Sequence, residues 1–288
     1  MDGRYRTLIP AAVLAGHLDD PRWVVVDCRF ALGDPSLGER HFSQSRIPGA
    51  RYAHLDRDLS SPITEVSGRH PLPEAGAFAR TLADLGITPD SQVVVYDDSF
   101  GSIAVRLWWL LRWAGHDAVT LLDGGWPAWK RHKLPLEEGP PRRIVSADSP
   151  YPVHPDKAAV VNAQFVDTIR LAPDWRLLDA RPEERFTGER ENIDPVAGHI
   201  PGSANRSFED NLDFDGTFLP ADELRESLLA SLNGIPPEKT VHTCGSGVTA
   251  CHNLLAMEHA GLPGSKLYAG SWSEWIRDSA RPIAVGAG

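Results

Sequence analysis

The apolar positions of this chain fall into two alternating patterns. Short runs rich in β-branched residues, WVVVD, QVVVYD and AVTLLDGG in the first half and RLLDA, KTVHT and KLYAG in the second, have the length of strands. Between them stand segments such as AGAFARTLADLG from Ala75 and ADELRESLLASL from Ala221, whose apolar residues recur at helical spacing. Strands buried on both faces read as continuous apolar runs, and the intervening helices supply the covers. The pattern predicts an α/β fold: mostly parallel sheet flanked by helices on both faces. Near the start, TLIPAAVLAGHL follows Arg4 and Arg6 and faintly imitates a secretion signal, but Pro10 interrupts it and DDPRWVVVDCR follows at once. It reads as an amphipathic helix leading into the first strand, and no apolar run approaches membrane-spanning length.

The chain also repeats itself. WVVVDCRF has a counterpart in WRLLDARP, and each is followed by an Ile-Pro-Gly, at Ile47 and at Ile200. Trp126 and Trp272, Trp129 and Trp275, and Gly115 and Gly261 are each 146 residues apart, whereas Ile47 and Ile200 are 153 apart, so loops differ in length between the copies. Two tandem domains explain this, 1–145 and 146–288, joined through KLPLEEGPPRRIVSADSPYPVHPDK, which is rich in proline and charge. The tryptophan pairs read as packing residues that close each domain.

Composition narrows the partners. A formal net charge of −10 over 288 residues argues against broad nucleic-acid binding and against attraction to an anionic membrane, so an anionic substrate needs a local cluster of arginines. Cys28, Cys244 and Cys251 include no CxxC pair, and an odd number in so large a chain fits a reducing, cytoplasmic setting.

Cys244 stands out. It follows the strand KTVHT and precedes the helical VTACHNLLAMEH, with Gly245, Ser246 and Gly247 between. Backbone N–H groups at such a strand-to-helix turn converge on the loop and favour a sulfur anion there. The glycines let the loop wrap round it, with Val248 and Thr249 completing the binding wall. The offset of 146 places Asp98 opposite Cys244, so the first copy carries a carboxylate where the second carries a thiol. A cysteine phosphatase would want an arginine six residues after the cysteine, where Ala250 stands, and a papain-like protease places its cysteine in another fold. Sulfur transfer through a persulfide remains.

CGSGVTA, GHIPGS, LLDARPEERF and GSWSEW, together with the degenerate first copy, resemble the tandem-domain rhodanese family of sulfurtransferases across essentially the whole chain. The resemblance implies a rhodanese fold in each half, a catalytically silent first domain and Cys244 as the nucleophile of the second. The neutral residues after the cysteine resemble the mercaptopyruvate-specific branch rather than the thiosulfate-specific one, which carries basic residues there. That branch implies Arg185 and Arg190 as the grip on the donor's carboxylate. It also implies Ser246, His70 and Asp56 as a proton relay, the last two supplied by the first domain. Neither a metal nor an organic cofactor is implied. The expected partners are 3-mercaptopyruvate or thiosulfate as donor, and cyanide, a small thiol or a thioredoxin-like protein as acceptor. Thiosulfate:cyanide transfer and a non-catalytic persulfide carrier or docking module are the alternatives.

Plainer readings apply elsewhere. Cys28 and Cys251 lack a glycine cradle and read as structural. His252 and His259 read as surface residues of their helix, His199 as fixing a turn, and Asp27 and Asp179 as structural hydrogen-bonding groups. For Arg185 the plain alternative is an ion pair with Glu183 or Glu184.

Overall fold

The structure, a computed structural model, describes residues 4–141, 146 and 149–287. The division expected near residue 145 falls outside the described residues. Contacts gather the chain into two units: Met1–Ser61, Pro73–Asp156 and Phe214–Thr217 form the first, and Pro62–Leu72, Lys157–Asp213 and Phe218–Gly288 the second. The segment Pro62–Leu72, which carries His70, thus belongs to the second unit although it lies in the first half of the sequence.

The strands of the first unit are β1 (Leu8–Ile9), β2 (Trp23–Asp27), β3 (Ser45–Arg46), β4 (Arg51–Tyr52), β5 (Gln92–Tyr96), β6 (Val119–Leu122) and β7 (Glu137–Glu138). Five of them form a parallel sheet in the order β1-β6-β5-β2-β4, while β3 and β7 pair antiparallel. The second unit contains β8 (Val160–Val161), β9 (Arg176–Asp179), β10 (Ala204–Asn205), β11 (Thr240–Thr243) and β12 (Lys266–Tyr268). They form a parallel sheet in the order β8-β12-β11-β9-β10. Counted within each main sheet, both orders run first, fifth, fourth, second, third, so the duplication in the sequence is a duplication of topology.

Alternation along the strands sends side chains to opposite faces. In the first unit Val25, Val94, Tyr96, Leu122, Trp126 and Trp129 share one core; in the second, Leu177, Val241, Tyr268, Trp272 and Trp275 do. The repeated tryptophan pairs are therefore core residues of the two units. The helix Ala221–Leu232 spans the stretch its periodicity predicts, burying Leu224, Leu228 and Leu232 at four-residue intervals.

At the end of the second strand of each sheet lies a buried ion pair. Arg29 Nη2 is 2.6 Å from Asp27 Oδ2, and Arg181 Nη2 is 2.7 Å from Asp179 Oδ2. Each arginine also donates to a backbone carbonyl, of Ser45 or of Gly198, and lies over a tryptophan ring, Trp126 or Trp272, at 4.8 and 5.1 Å. Burial pushes the Asp27 carboxyl up, opposed by Arg29 and by the Tyr96 hydroxyl. Replacing Arg181 by Met strands Asp179 as a buried unpaired charge. We expect a loss of about 3–5 kcal/mol, measured as a fall in the urea midpoint.

His242, in the middle of β11, is fully buried, and among the described residues neither ring nitrogen has a hydrogen-bond partner. Burial, reinforced by the charge of Arg206, lowers its pKa to about 3. The unfolded chain binds this proton below about pH 6.5, whereas the folded chain resists it down to about pH 3. The neutral imidazole's contribution to stability is therefore complete above the unfolded value and declines as pH falls through that window. The slope from this one group reaches about 1.4 kcal/mol per pH unit. Urea midpoints measured from pH 7 to pH 4.5 should fall less steeply for His242→Gln than for the parent chain.

Candidate active site

Cys244 directly follows β11 and is 1% exposed, at the base of a turn that enters the helix Ala250–His259. Its Sγ accepts the Gly247 N–H at 3.1 Å, and its own N–H donates to Ser271 Oγ at 3.0 Å. The turn is clamped from the other side: Trp272 N–H donates to the Cys244 carbonyl at 3.0 Å and Ser273 N–H to that of Gly245 at 2.9 Å. Gly247 has φ +75°, and a Cβ there would lie 2.3 Å from the Ala269 carbonyl oxygen, so both its backbone angle and its surroundings require glycine. Val248 and Thr249 complete the turn, their carbonyls accepting the N–H groups of Cys251 and His252. Among the N–H groups of this turn, that of Gly247 reaches Sγ.

Ser271 is an unusual feature of this wall. Its φ is +54°, and the residue 146 positions earlier, Gly125, has φ +55°. The second unit thus holds a serine in a conformation for which the first uses glycine. The strain accompanies a buried hydroxyl that accepts the Cys244 N–H and lies 4.0 Å from Sγ.

The segment Pro62–Leu72 supplies the next layer. Gly68 packs so closely that a Cβ would lie 2.5 Å from the Gly270 carbonyl oxygen, and the Arg69 N–H donates to Ser273 Oγ at 3.0 Å. This seats His70, 3% exposed, with Nδ1 at 2.7 Å from Ser246 Oγ. The structure therefore brings together Cys244, Ser246 and His70. Asp56 belongs to the first unit, in the helix Leu55–Asp58, where its N–H donates to His54 Nδ1 and its side chain is exposed.

Gly245 presents an open face to two guanidinium groups. A Cβ on it would meet Arg69 Nη2 at 3.3 Å and Arg185 Nη1 at 3.5 Å. Among the described residues neither of these nitrogens has an acceptor. Carboxylates hold Nη1 of Arg69 and the other edge of Arg185. Arg69 Nη1 is 2.6 Å from Asp194 Oδ1, and Arg185 Nη2 is 3.0 Å from Asp194 Oδ2 and 2.9 Å from both oxygens of Glu191. Arg185 thus pairs with Glu191 and Asp194 rather than with Glu183 or Glu184. Burial works against the charge of Glu191, but hydrogen bonds from Arg185 and from the Asp194 and Ile193 N–H groups outweigh it and hold the carboxyl below its ordinary range.

Arg190 departs from expectation. Its side chain is exposed, and its backbone N–H donates to the Glu184 carbonyl, extending the turn after the helix Glu183–Thr187. Arg69 is the second guanidinium at Gly245. The sequence offered one signal for it, a basic residue directly before His70, but only folding brings positions 69, 185 and 245 together.

The position opposite the cysteine also needs correcting. Trp126 N–H donates to the Asp97 carbonyl as Trp272 N–H does to that of Cys244, and Cys28 N–H donates to Tyr96 as Ala180 N–H does to Thr243. Asp97, not Asp98, is thus the structural counterpart of Cys244. The first unit's turn contains one additional residue before its positive-φ glycine, Gly101, so an offset of 146 that holds on the helix side becomes 147 on the strand side. The Asp97 carboxylate accepts the N–H groups of Ser99, Gly101, Ile103 and Ala104. Asp98 is 36% exposed and sits 3.8 Å from His41.

The profile described as a rhodanese-like domain matches residues 10–132 and 163–278. The chain belongs to the rhodanese-like domain family. This rhodanese-like chain is 49% identical over 281 residues to the probable 3-mercaptopyruvate sulfurtransferase of Pseudomonas aeruginosa, covering 97% of itself and 98% of that protein. It is 38% identical to the putative thiosulfate sulfurtransferase SseB of Mycobacterium tuberculosis, over 99% of both chains. Its fold superposes on the crystal structure of SseA from Escherichia coli, described as a 3-mercaptopyruvate sulfotransferase, with a TM-score of 0.79 and 32% identity over 92% of this chain and 98% of that one.

The remaining plain readings sort individually. In this rhodanese-like chain Cys28 and Cys251 are fully buried, Cys251 Sγ facing the Gly247 carbonyl at 3.4 Å. His199 stacks on Phe186 at 3.8 Å and pairs through its backbone with Ala284, which fixes the turn before Ile200. His252 is not a surface residue: it is fully buried, stacked on Phe218 at 4.5 Å and hydrogen-bonded to Asn211. The constraint on Gly247 leads to a test of the cradle itself. Gly247→Ala should displace the loop and lower sulfur transfer by about a hundredfold, while far-UV circular dichroism stays unchanged.

Proposed function

We propose that this chain is a sulfurtransferase that takes the sulfur of 3-mercaptopyruvate onto Cys244 and passes it to a thiophilic acceptor. The observation carrying the reading is the convergence, around one cysteine loop, of a hydroxyl paired with His70 and two acceptor-free guanidinium ends over Gly245.

The donor's carboxylate lies against Arg69 Nη2 and Arg185 Nη1, whose directed N–H groups suit two oxygens. The Cys244 thiolate attacks the donor sulfur. The new S–S bond forms as the donor's C–S bond breaks, and the electron pair leaves on carbon as pyruvate enolate. Ser246, hydrogen-bonded to His70, polarises the carbonyl on which that negative charge collects, and His70 balances the proton. Asp56, an exposed carboxylate of the helix Leu55–Asp58, is included in the proposal as a member of the proton relay. The enolate takes a proton to become pyruvate. The inner sulfur of the persulfide keeps the Gly247 N–H. An acceptor such as cyanide, a small thiol or a thioredoxin-like protein then attacks the outer sulfur and releases the Cys244 thiolate. Cys28, Cys244 and Cys251 form no disulfide among the described residues, which suits a reducing, cytoplasmic compartment.

Initial rates with 3-mercaptopyruvate or thiosulfate as donor and cyanide as acceptor test this. Mercaptopyruvate should be preferred and Cys244→Ser should be inactive. Arg69→Ala and Arg185→Ala should each raise KM for mercaptopyruvate by about tenfold or more, whereas Arg190→Ala should leave it unchanged. Asp56→Asn should lower kcat more than it alters KM. A preference for thiosulfate would replace the donor, and activity surviving in Cys244→Ser would overturn the persulfide route.

A further inference from the structure

We infer that Asp194, supported by Glu191, is a specificity-determining residue: it cancels the net charge of the two guanidinium groups and so selects donors bearing one negative charge over those bearing two. The inference rests on the reading above that Arg69 and Arg185 receive the donor's acid group.

The geometry separates a front layer from a back layer. The guanidinium side chains are 21% and 16% exposed, whereas those of Asp194 and Glu191 are 2% and 3% exposed. Asp194 bridges the arginines with one oxygen on each, at 2.6 and 3.0 Å. Glu191 takes Arg185 with both oxygens and is itself fixed by the N–H groups of Ile193 and Asp194 at 2.8 and 3.0 Å. Two buried carboxylates thus stand behind two cations, and the neighbouring Arg181 is likewise matched by Asp179 at 2.7 Å. The loop after the cysteine, Gly245, Ser246 and Gly247, adds no cation.

What faces the donor is therefore a pair of oriented N–H donors with little net positive charge behind them. One carboxylate finds its hydrogen bonds there. The second charge of a dianion finds no counter-charge and is repelled by Asp194 and Glu191 in a setting where water screens poorly. The bridge also sets the spacing of the two guanidinium ends, so Asp194 positions the arginines as well as neutralising them.

The test uses the full chain with pyruvate as a monoanionic probe and sulfate as a dianionic one, their affinities measured by calorimetry at low ionic strength. Asp194→Asn removes the charge at nearly constant shape. It should raise sulfate affinity relative to pyruvate by about tenfold, and the ratio of kcat/KM for thiosulfate over mercaptopyruvate should move the same way. Glu191→Gln should shift both ratios in the same direction, and it carries the test if Asp194→Asn does not fold. A sulfate-to-pyruvate ratio unchanged in both variants, or a parallel weakening of both anions, overturns the inference. If the parent chain turns over no mercaptopyruvate, the functional reading fails, while the binding ratio still decides the role of Asp194.

Discussion

The buried Asp179–Arg181 ion pair ties together most of what surrounds the candidate site. It closes β9, reaches the Gly198 carbonyl before the Ile-Pro-Gly turn, and lies over Trp272. The N–H of Trp272 holds the Cys244 carbonyl, and Glu191, which grips Arg185, stands 3.7 Å from the other side of Arg181. Burial disfavours the guanidinium charge, but Asp179 and Glu191 raise the Arg181 pKa in spite of it, so the cation persists in the interior. A charged pair of this kind adds little to stability when compared with apolar packing of the same volume. What it supplies is direction: Nε and Nη2 of Arg181 are held between Asp179 and the Gly198 carbonyl, so the strand end, the loop and the tryptophan are fixed relative to one another.

The same logic governs charge at the surface of the site. A protein with net charge −10 does not attract an anion by its overall field. At the candidate site two guanidinium ends face Gly245, while carboxylates hold Nη1 of Arg69 and Nε and Nη2 of Arg185. Hydrogen-bond geometry, rather than accumulated positive charge, is what the site offers. Mercaptopyruvate, with its single carboxylate, matches that offer.

The two copies serve as controls for each other. Both turns meet a tryptophan N–H at the same carbonyl and contain a positive-φ glycine before the helix. In the first unit a carboxylate takes four backbone N–H groups and fills its own cradle, so the anion-binding capacity of the turn is used up internally. In the second a single sulfur takes one N–H, which leaves that turn capable of chemistry. The duplication preserved the frame while the occupant of the turn changed.

The sequence by itself determined the α/β class, the tandem repeat and the helix Ala221–Leu232, and it singled out Cys244, because periodicity, spacing and a glycine-flanked cysteine are local properties. Ser246 and His70 were also legible by resemblance, but their 2.7 Å contact depends on a segment of the first half packing into the second unit. Tertiary structure alone decided that Arg69 and not Arg190 faces Gly245, that Asp97 and not Asp98 stands opposite Cys244, and that His252 is buried. Each of these turns on where a loop goes after its strand ends. A single inserted residue or a returning segment changes that path without disturbing the apolar pattern from which the elements are read.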